Sequence, residues 1–493
     1  MAPHPGRNLM WALVESGGLS VLSLAVLFVV ARLLGPTDLG TAALALGVVQ
    51  MLAVIPETLM HDAIVQRADL HDEDLDTAFW TCVGIGIVSA IGCWAGAPLI
   101  ARAFGSDGLA PLLAVAAISL SFSATGSVAI AVLRRHFLFK ALALRSLYGR
   151  LFGAGIAIAL ALLGFGVWSL IAQHLVQTVI NVLFVWRASP WRPRLRFSWG
   201  RLSGLLSFGI FSMGTQIAWL SSAKLFTILV GYFLGVTAVG YLNVAQRVVD
   251  TLHDMLAGAA YHLALPIFSR QQDNRRALAR AYRLGTEFAG ISVAPIFAGV
   301  AICAHPIILL LMGEPWVPAV PVIQALAVAA MVEFPFLFAD AAITAVGRPS
   351  YVFGVALLGV GFPISAFLLL RPDTLFLAAV LWGSRIVVTA PVIMVLLQRL
   401  IGRSPVEFAH ETWTPLVSTA TMAVFLWWLR GALPTVTPLT LLAIEIPLGA
   451  LVYGTTIALV NREALQRFAA FALDGIRGRA VSPARARRDT KSA

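Results

Sequence analysis

Asn243, Arg247, Asp250 and Asp254 follow one another at intervals of four, three and four residues. On an α-helix that spacing gathers all four on one face. The residues between and around them are mostly apolar, so the stripe runs through a stretch otherwise suited to hydrocarbon. Other apolar stretches carry the same kind of exception. Lys224 follows Ser221, Arg385 precedes Thr389, Glu333 and Asp340 stand seven apart, and Gln50, Glu57 and His61 share a helical face. Glu15 and Glu287 lie nearer the ends of their stretches.

A charge at the centre of a bilayer costs at least about 2.5–3.5 kcal/mol, so it needs a wet cavity or a partner. Guanidinium and ammonium groups in a cavity suit phosphate or diphosphate, Arg as a planar fork and Lys as a point charge. Carboxylates and histidine in the same place suit Na⁺ or H⁺. Lys224, Arg247 and Arg385 are therefore candidates for binding a diphosphate. Glu57, His61, Asp250, Asp254, Glu333 and Asp340 are candidates for ion coupling. The competing reading is internal ion pairing that fixes helix contacts, with Arg247 and Asp250 spaced to pair.

The rest of the chain has to hold these groups inside a membrane. Of 493 residues, 59% are hydrophobic and 12% charged, and the mean hydropathy is +0.87. A soluble domain carries about 25% charged residues. The apolar runs are long and unbroken, unlike the short alternating segments of a β-barrel, so the backbone must satisfy itself as helices. Windows of about 20 residues give about fourteen spans: 10–33, 39–61, 79–104, 109–133, 146–163, 166–186, 203–234, 238–267, 284–311, 318–345, 350–370, 374–398, 412–430 and 438–460. The first is too long for a signal peptide and no small-residue cleavage site follows it, so it reads as an uncleaved span.

The net charge of +11 does not point to nucleic acid, because the basic residues sit in short loops between spans. With a cytoplasmic N-terminus, 28 of the 35 Lys and Arg residues fall on the cytoplasmic side, four on the other and three within spans. That asymmetry sets the orientation and puts both termini in the cytoplasm. The basic residues include Arg145 and Arg150 in the loop after span four, and a tail that can touch lipid headgroups or stay solvated.

Enzyme signatures are missing from the sequence. It contains no P-loop for ATP hydrolysis and no serine in a nucleophile-elbow context. Cys82, Cys93 and Cys303 lie singly in apolar spans, with no metal-ligand or disulfide spacing, and read as packing residues. No cofactor is expected, beyond H⁺ or Na⁺ as a coupling ion.

An internal repeat recurs at an offset of 200 residues. Leu34-Gly35-Pro36-Thr37-Asp38-Leu39-Gly40 matches Leu234-Gly235-Val236-Thr237-Ala238-Val239-Gly240, and Ala45, Val48, Val49 and Leu52 recur as Ala245, Val248, Val249 and Leu252. Each copy joins the first two spans of a six-span bundle. Six is even, so the copies run in the same sense, as a parallel repeat about an axis along the membrane normal. The expected architecture is all-α and integral to the membrane: two parallel six-helix bundles at residues 1–200 and 201–400, a helix pair at 401–461, and a basic cytoplasmic tail at 462–493. A cleft between two such bundles is a usual place for a transported substrate.

In Ala31-Arg32-Leu33-Leu34-Gly35-Pro36-Thr37-Asp38-Leu39-Gly40 the chain resembles the first external loop of the Wzx-type polysaccharide transporters, a branch of the multidrug/oligosaccharidyl-lipid/polysaccharide exporter superfamily. Gln66-Arg67-Ala68-Asp69-Leu70 and Asp74-Leu75-Asp76-Thr77-Ala78-Phe79-Trp80 resemble the first internal loop and the start of span three. The acids from Asp69 to Asp76 also suit a helix N-terminus. The resemblance implies a flippase in lipopolysaccharide, exopolysaccharide or capsule biosynthesis. It would carry a polyprenyl-diphosphate-linked oligosaccharide across the bacterial inner membrane by ion-coupled alternating access. Further implied partners are membrane lipids and the polysaccharide polymerase and chain-length machinery. Fourteen helices can form a whole transport path, so a monomer is expected. A peptidoglycan-precursor flippase, a multidrug antiporter of the same superfamily and a membrane glycan polymerase or ligase are the alternatives.

Overall fold

A computed structural model describes residues 19–67, 69–433, 436–463 and 465–467. Glu15 and most of the basic tail lie outside the described residues. The regular structure described is helical throughout. The helices are α1 (Leu19–Leu33), α2 (Pro36–Thr58), α3 (His61–Gln66), α4 (Asp72–Ala103), α5 (Leu109–Ala116), α6 (Ile118–Arg135), α7 (Phe139–Leu162), α8 (Trp168–Ala188) and α9 (Trp199–Leu234). They continue as α10 (Val236–Ser269), α11 (Arg275–Leu311), α12 (Val320–Glu333), α13 (Ala339–Ala345), α14 (Pro349–Leu370), α15 (Leu375–Gly383), α16 (Arg385–Ile401), α17 (Pro405–Ala432) and α18 (Pro438–Val460).

Joined across their kinks, these helices make fourteen rods at the positions of the fourteen expected spans. Ten rods are long and apolar enough to cross a membrane among the described residues. The protein is a multi-pass membrane protein. Local chemistry sets many of the rod ends. Ser404 caps α17, accepting the Glu407 N–H at 3.2 Å while the Glu407 carboxylate accepts the Ser404 N–H at 3.2 Å. Pro405 and Pro438 stand in the first turns of α17 and α18, where a missing N–H costs nothing. Gly235 closes α9 at φ +84°, a conformation that favours glycine. At α4 the Asp74 carboxylate accepts the His71 N–H at 2.9 Å, so the acids of this segment do cap span three.

Four expected spans are broken within, span four by a turn at Ala117 between α5 and α6. Span two stops at Thr58, just after Pro56, and restarts as α3 at His61. Span ten is interrupted by a single 3₁₀ turn, Phe334–Phe336, with Pro335 inside it. Span twelve breaks at Ser384, between α15 and α16. Proline removes one backbone donor and crowds the preceding turn; in a membrane protein neighbouring groups must satisfy what is freed. The Tyr282 hydroxyl does so at the span-ten break, donating to the Pro335 carbonyl at 3.1 Å.

The chain divides into two compact units. The first holds Met1–Ala260, Ile307–Leu326 and Ser350–Thr389. The second holds Tyr261–Pro306, Ala327–Pro349 and Ala390–Ala493. In the first unit the repeated segments meet each other. A Cβ on Gly40 would lie 1.8 Å from the Val236 carbonyl oxygen, and one on Gly240 would lie 2.0 Å from the Pro36 carbonyl oxygen. Beside them the Thr37 and Thr237 hydroxyls are 3.0 Å apart. A contact in which each position meets its counterpart is self-complementary, as across a two-fold axis. Trp316 fastens a later segment to this region, its Nε1 donating to the Ala31 carbonyl at 2.9 Å.

The second unit packs around Ile291, Ala298, Met422, Leu426, Tyr453 and Ile457. Glu445 is wholly buried there and meets Arg430 in a two-pronged pair at 2.8 and 3.0 Å. The three cysteines are buried and unbridged, with Cys303 Sγ donating to Glu445 at 3.4 Å.

Candidate substrate site

A cavity of about 530 Å³ opens inside the first unit, lined by residues of α2, α3, α6, α7, α8 and by Lys224 of α9. Backbone packing brings its walls together. Gly149 and Gly153 on α7 let α8 approach closely: a Cβ at Gly149 would lie 2.3 Å from Asn181 Oδ1, and one at Gly153 3.1 Å from the Gln173 carbonyl. Small residues four apart are a common means of close helix contact in membranes. Pressed against them, α8 presents His174, Gln177, Thr178 and Asn181 to the cavity. Beside it, α6 contributes Ser119, Ser123 and Ser127. His174 Nε2 is 3.2 Å from Ser119 Oγ.

Gln50, Glu57 and His61 all line this cavity, although the break after Thr58 puts His61 on a different helix from the other two. Glu57 lies against Ser123 and within electrostatic reach of Arg145. It sits deep among protein atoms, but its own surface faces open space. That combination marks a group lining a cavity and not one packed in a core.

Lys224 joins the cavity to a second charged group. It lines the cavity and is within electrostatic reach of Arg247 and Asp250 on α10. Asp250 is in turn within reach of Asp254, Arg385, Arg247 and Lys224. The three candidate cations therefore share one neighbourhood with two of the candidate acids. Arg247, Asp250 and Asp254 are exposed, while Val244, Ala245, Val248 and Val249 of the same helix are buried. The polar stripe thus turns away from the packed side of its helix. Arg247 and Asp250 feel each other's charge without forming a contact ion pair among the described residues.

Arg385 is positioned by aromatic rings. Its guanidinium lies 5.3 Å from the centroid of Trp382, and Trp382 stacks on the buried Phe226 at 4.6 Å. Phe226 stands two residues after Lys224 on α9, so the stack ties Arg385 to the helix that carries Lys224. A cation over an indole face is held by the ring quadrupole. The Thr389 hydroxyl donates to the Arg385 carbonyl at 3.0 Å, so it serves the backbone. The side chain of Ser221 lies outside the described residues.

Glu333 and Asp340 belong to the second unit. Their seven-residue spacing does not place them on one helical face, because the 3₁₀ turn at Phe334–Phe336 separates the end of α12 from the start of α13. Asp340 stands in the first turn of α13, where a carboxylate is favoured by the helix dipole.

Arg145 and Arg150 are not in a loop. Helix α7 begins at Phe139 and carries both; Arg145 lines the cavity and Arg150 donates to Ser23 Oγ at 2.7 Å. The polar walls on α6 and α8 were not singled out from sequence. Their signal is nonetheless present, as serines at intervals of four and as His174, Gln177, Thr178 and Asn181 along one stripe of an apolar span.

Residues 29–321 match the model of a family described as polysaccharide biosynthesis protein. The chain belongs to that family. It is 29% identical over 352 residues to the succinoglycan biosynthesis transport protein ExoT of Rhizobium meliloti (strain 1021), covering 71% of each chain. It is 22% identical over 434 residues to the lipopolysaccharide biosynthesis protein WzxC of Escherichia coli (strain K12), covering 84% of this chain and 85% of that one. Among solved structures, the lipid II flippase MurJ in an inward closed conformation shares the fold with a TM-score of 0.76 at 15% identity, covering 93% of this chain and 100% of its own. An inward-facing multidrug resistance MATE family transporter of the MOP superfamily follows at a TM-score of 0.61 and 18% identity, covering 78% and 94%. The family match begins within α1 and runs past α11, so it takes in the cavity, Lys224, Arg247 and Asp250.

Proposed function

We propose that this protein is a flippase of the bacterial inner membrane, both termini cytoplasmic, that moves a polyprenyl-diphosphate-linked oligosaccharide to the periplasmic leaflet. The observation that carries the reading is the convergence of Lys224, Arg247 and Arg385 around a polar face of α10, beside a cavity lined by hydroxyls and amides. The cations suit a diphosphate, and the hydroxyl and amide walls suit a glycan. The lipid tail would stay in the bilayer.

Transport would be ion-coupled alternating access, without a cofactor or catalysis. Glu57, His61, Asp250 and Asp254 are the nearest groups for H⁺ or Na⁺, with Glu333 and Asp340 as further candidates in the second unit. The names of ExoT and WzxC support a substrate from polysaccharide assembly. Polymerase and chain-length proteins would act on the delivered product.

The test is a deletion strain. Lipid-linked oligosaccharides are extracted and probed with a glycan-cleaving reagent confined to the periplasm. Complete units shielded from the reagent, with surface polymer lost, are the expected result. Complete units open to the reagent but unpolymerised would place the defect after translocation and point to a polymerase or ligase.

A further inference from the structure

Between α8 and α9 the chain runs through Trp191-Arg192-Pro193-Arg194-Leu195-Arg196-Phe197-Ser198 without helix. The Arg196 N–H donates to the Arg194 carbonyl at 2.8 Å, closing a tight turn with Leu195 at its apex. Leu195 is 89% exposed, Phe197 46% and Trp199 78%. Arg187, Arg194 and Arg196 are exposed around them, and their guanidinium groups have no hydrogen-bond or ion-pair partner among the described residues.

The segment is held from beneath. Trp80 Nε1 donates to the Arg194 carbonyl at 2.9 Å, the Arg194 N–H donates to Asp76 Oδ1 at 3.0 Å, and the Ser198 N–H donates to Thr77 Oγ1 at 3.2 Å. Arg192, by contrast, is engaged locally, over the Trp186 ring at 5.7 Å and donating to the Ser189 and Trp191 carbonyls at 2.6 and 3.0 Å. The nearby acids are engaged as well: Asp74 with Arg67 and Arg201, Glu73 with Arg201. The loop backbone and the Asp74 and Glu73 carboxylates are thus engaged, and an apolar tip flanked by guanidinium groups is what remains outside.

We propose that residues 187–199 form an anchor for anionic phospholipid headgroups, the apolar tip entering the interface while Arg187, Arg194 and Arg196 bind phosphodiesters. Helix α8 is apolar and long enough to cross the membrane, so the segment leaves it at a membrane face. Tryptophan is enriched at that depth, where an amphipathic ring has both an apolar and a wet side. A guanidinium fork matches a phosphodiester in two-pronged fashion, and anionic leaflets attract basic segments beside a span. A water-facing loop would gain nothing from three large exposed apolar side chains.

The experiment uses the full chain in nanodiscs of phosphatidylcholine and phosphatidylglycerol, with one or the other lipid brominated at equal mole fraction. Quenching of wild type minus that of Trp199→Phe isolates Trp199. Both brominated lipids should quench it, with brominated phosphatidylglycerol about twofold stronger, an advantage that disappears in R194Q/R196Q and at high salt. Equal quenching by the two headgroups in the wild type would overturn the proposal without reference to any variant. So would a Trp199 that neither lipid quenches, which would put the loop in water and leave it for a protein partner. Both leaflets carry the same lipids, so the result does not depend on orientation or on the transported substrate.

Discussion

Gly40 and Gly240 stand backbone to backbone, 200 positions apart in the chain, and neither has room for a side chain. A Cβ on the first would lie 1.8 Å from the Val236 carbonyl oxygen, and one on the second 2.0 Å from the Pro36 carbonyl oxygen. Backbone atoms cannot turn aside as a flexible side chain can. G40A and G240A should therefore each lower the yield and thermal stability of detergent-solubilised protein, by about 1–3 kcal/mol or more. Gly47, with nothing near its absent Cβ, is the control: G47A should lower neither, since alanine is the better helix former there.

K224Q, R247Q and R385Q should each reduce surface polymer while leaving the amount of folded protein in the membrane near wild type. Uncharged substitutions at all three positions with polymer intact would remove the diphosphate assignment. Immunoblots of membranes beside polymer quantification give the two readings separately.

Trp382 should matter through Arg385. W382F keeps a ring beneath the guanidinium and should retain most transport. W382L removes the cation–ring contact, worth about 0.5–2 kcal/mol, and should reduce transport more than it reduces the thermal midpoint of the purified protein.

Arg430 should behave in the opposite way from the three candidate cations. Its partner Glu445 is wholly buried, so removing Arg430 strands a carboxylate at a cost of about 3–5 kcal/mol. R430L should deplete folded protein. The double variant R430L/E445L should recover most of it, since no buried charge is then left alone.

In the cavity, E57Q should keep the fold, because Glu57 faces open space, but should alter how transport responds to an imposed H⁺ or Na⁺ gradient. Uptake into proteoliposomes under each gradient is the measurement. An unchanged response to both would remove Glu57 from ion coupling.

The sequence by itself determined the membrane class, the fourteen rods, the bias of the charges and the repeat. These follow from properties with a fixed period: hydrocarbon thickness sets span length, and a helix repeats its face every few residues. Asn243, Arg247, Asp250 and Asp254 could be placed on one face for that reason. The same reasoning failed for Glu333 and Asp340, because it presumes an unbroken helix and Pro335 interrupts theirs. It also placed Arg145 and Arg150 in a loop, since a hydropathy window ends at a charge whereas a helix need not.

Only the tertiary structure decided which helices meet. Lys224, Arg247 and Arg385 lie on three different rods, and sequence distance is silent on whether such groups converge. Arg430 and Glu445 make the same point: fifteen positions apart on two helices, they form a closed pair. The cavity, too, exists because Gly149 and Gly153 let α8 close against α7 and turn its polar stripe inward. Steric fit between backbones sets that approach, and its effect is expressed only once the helices pack.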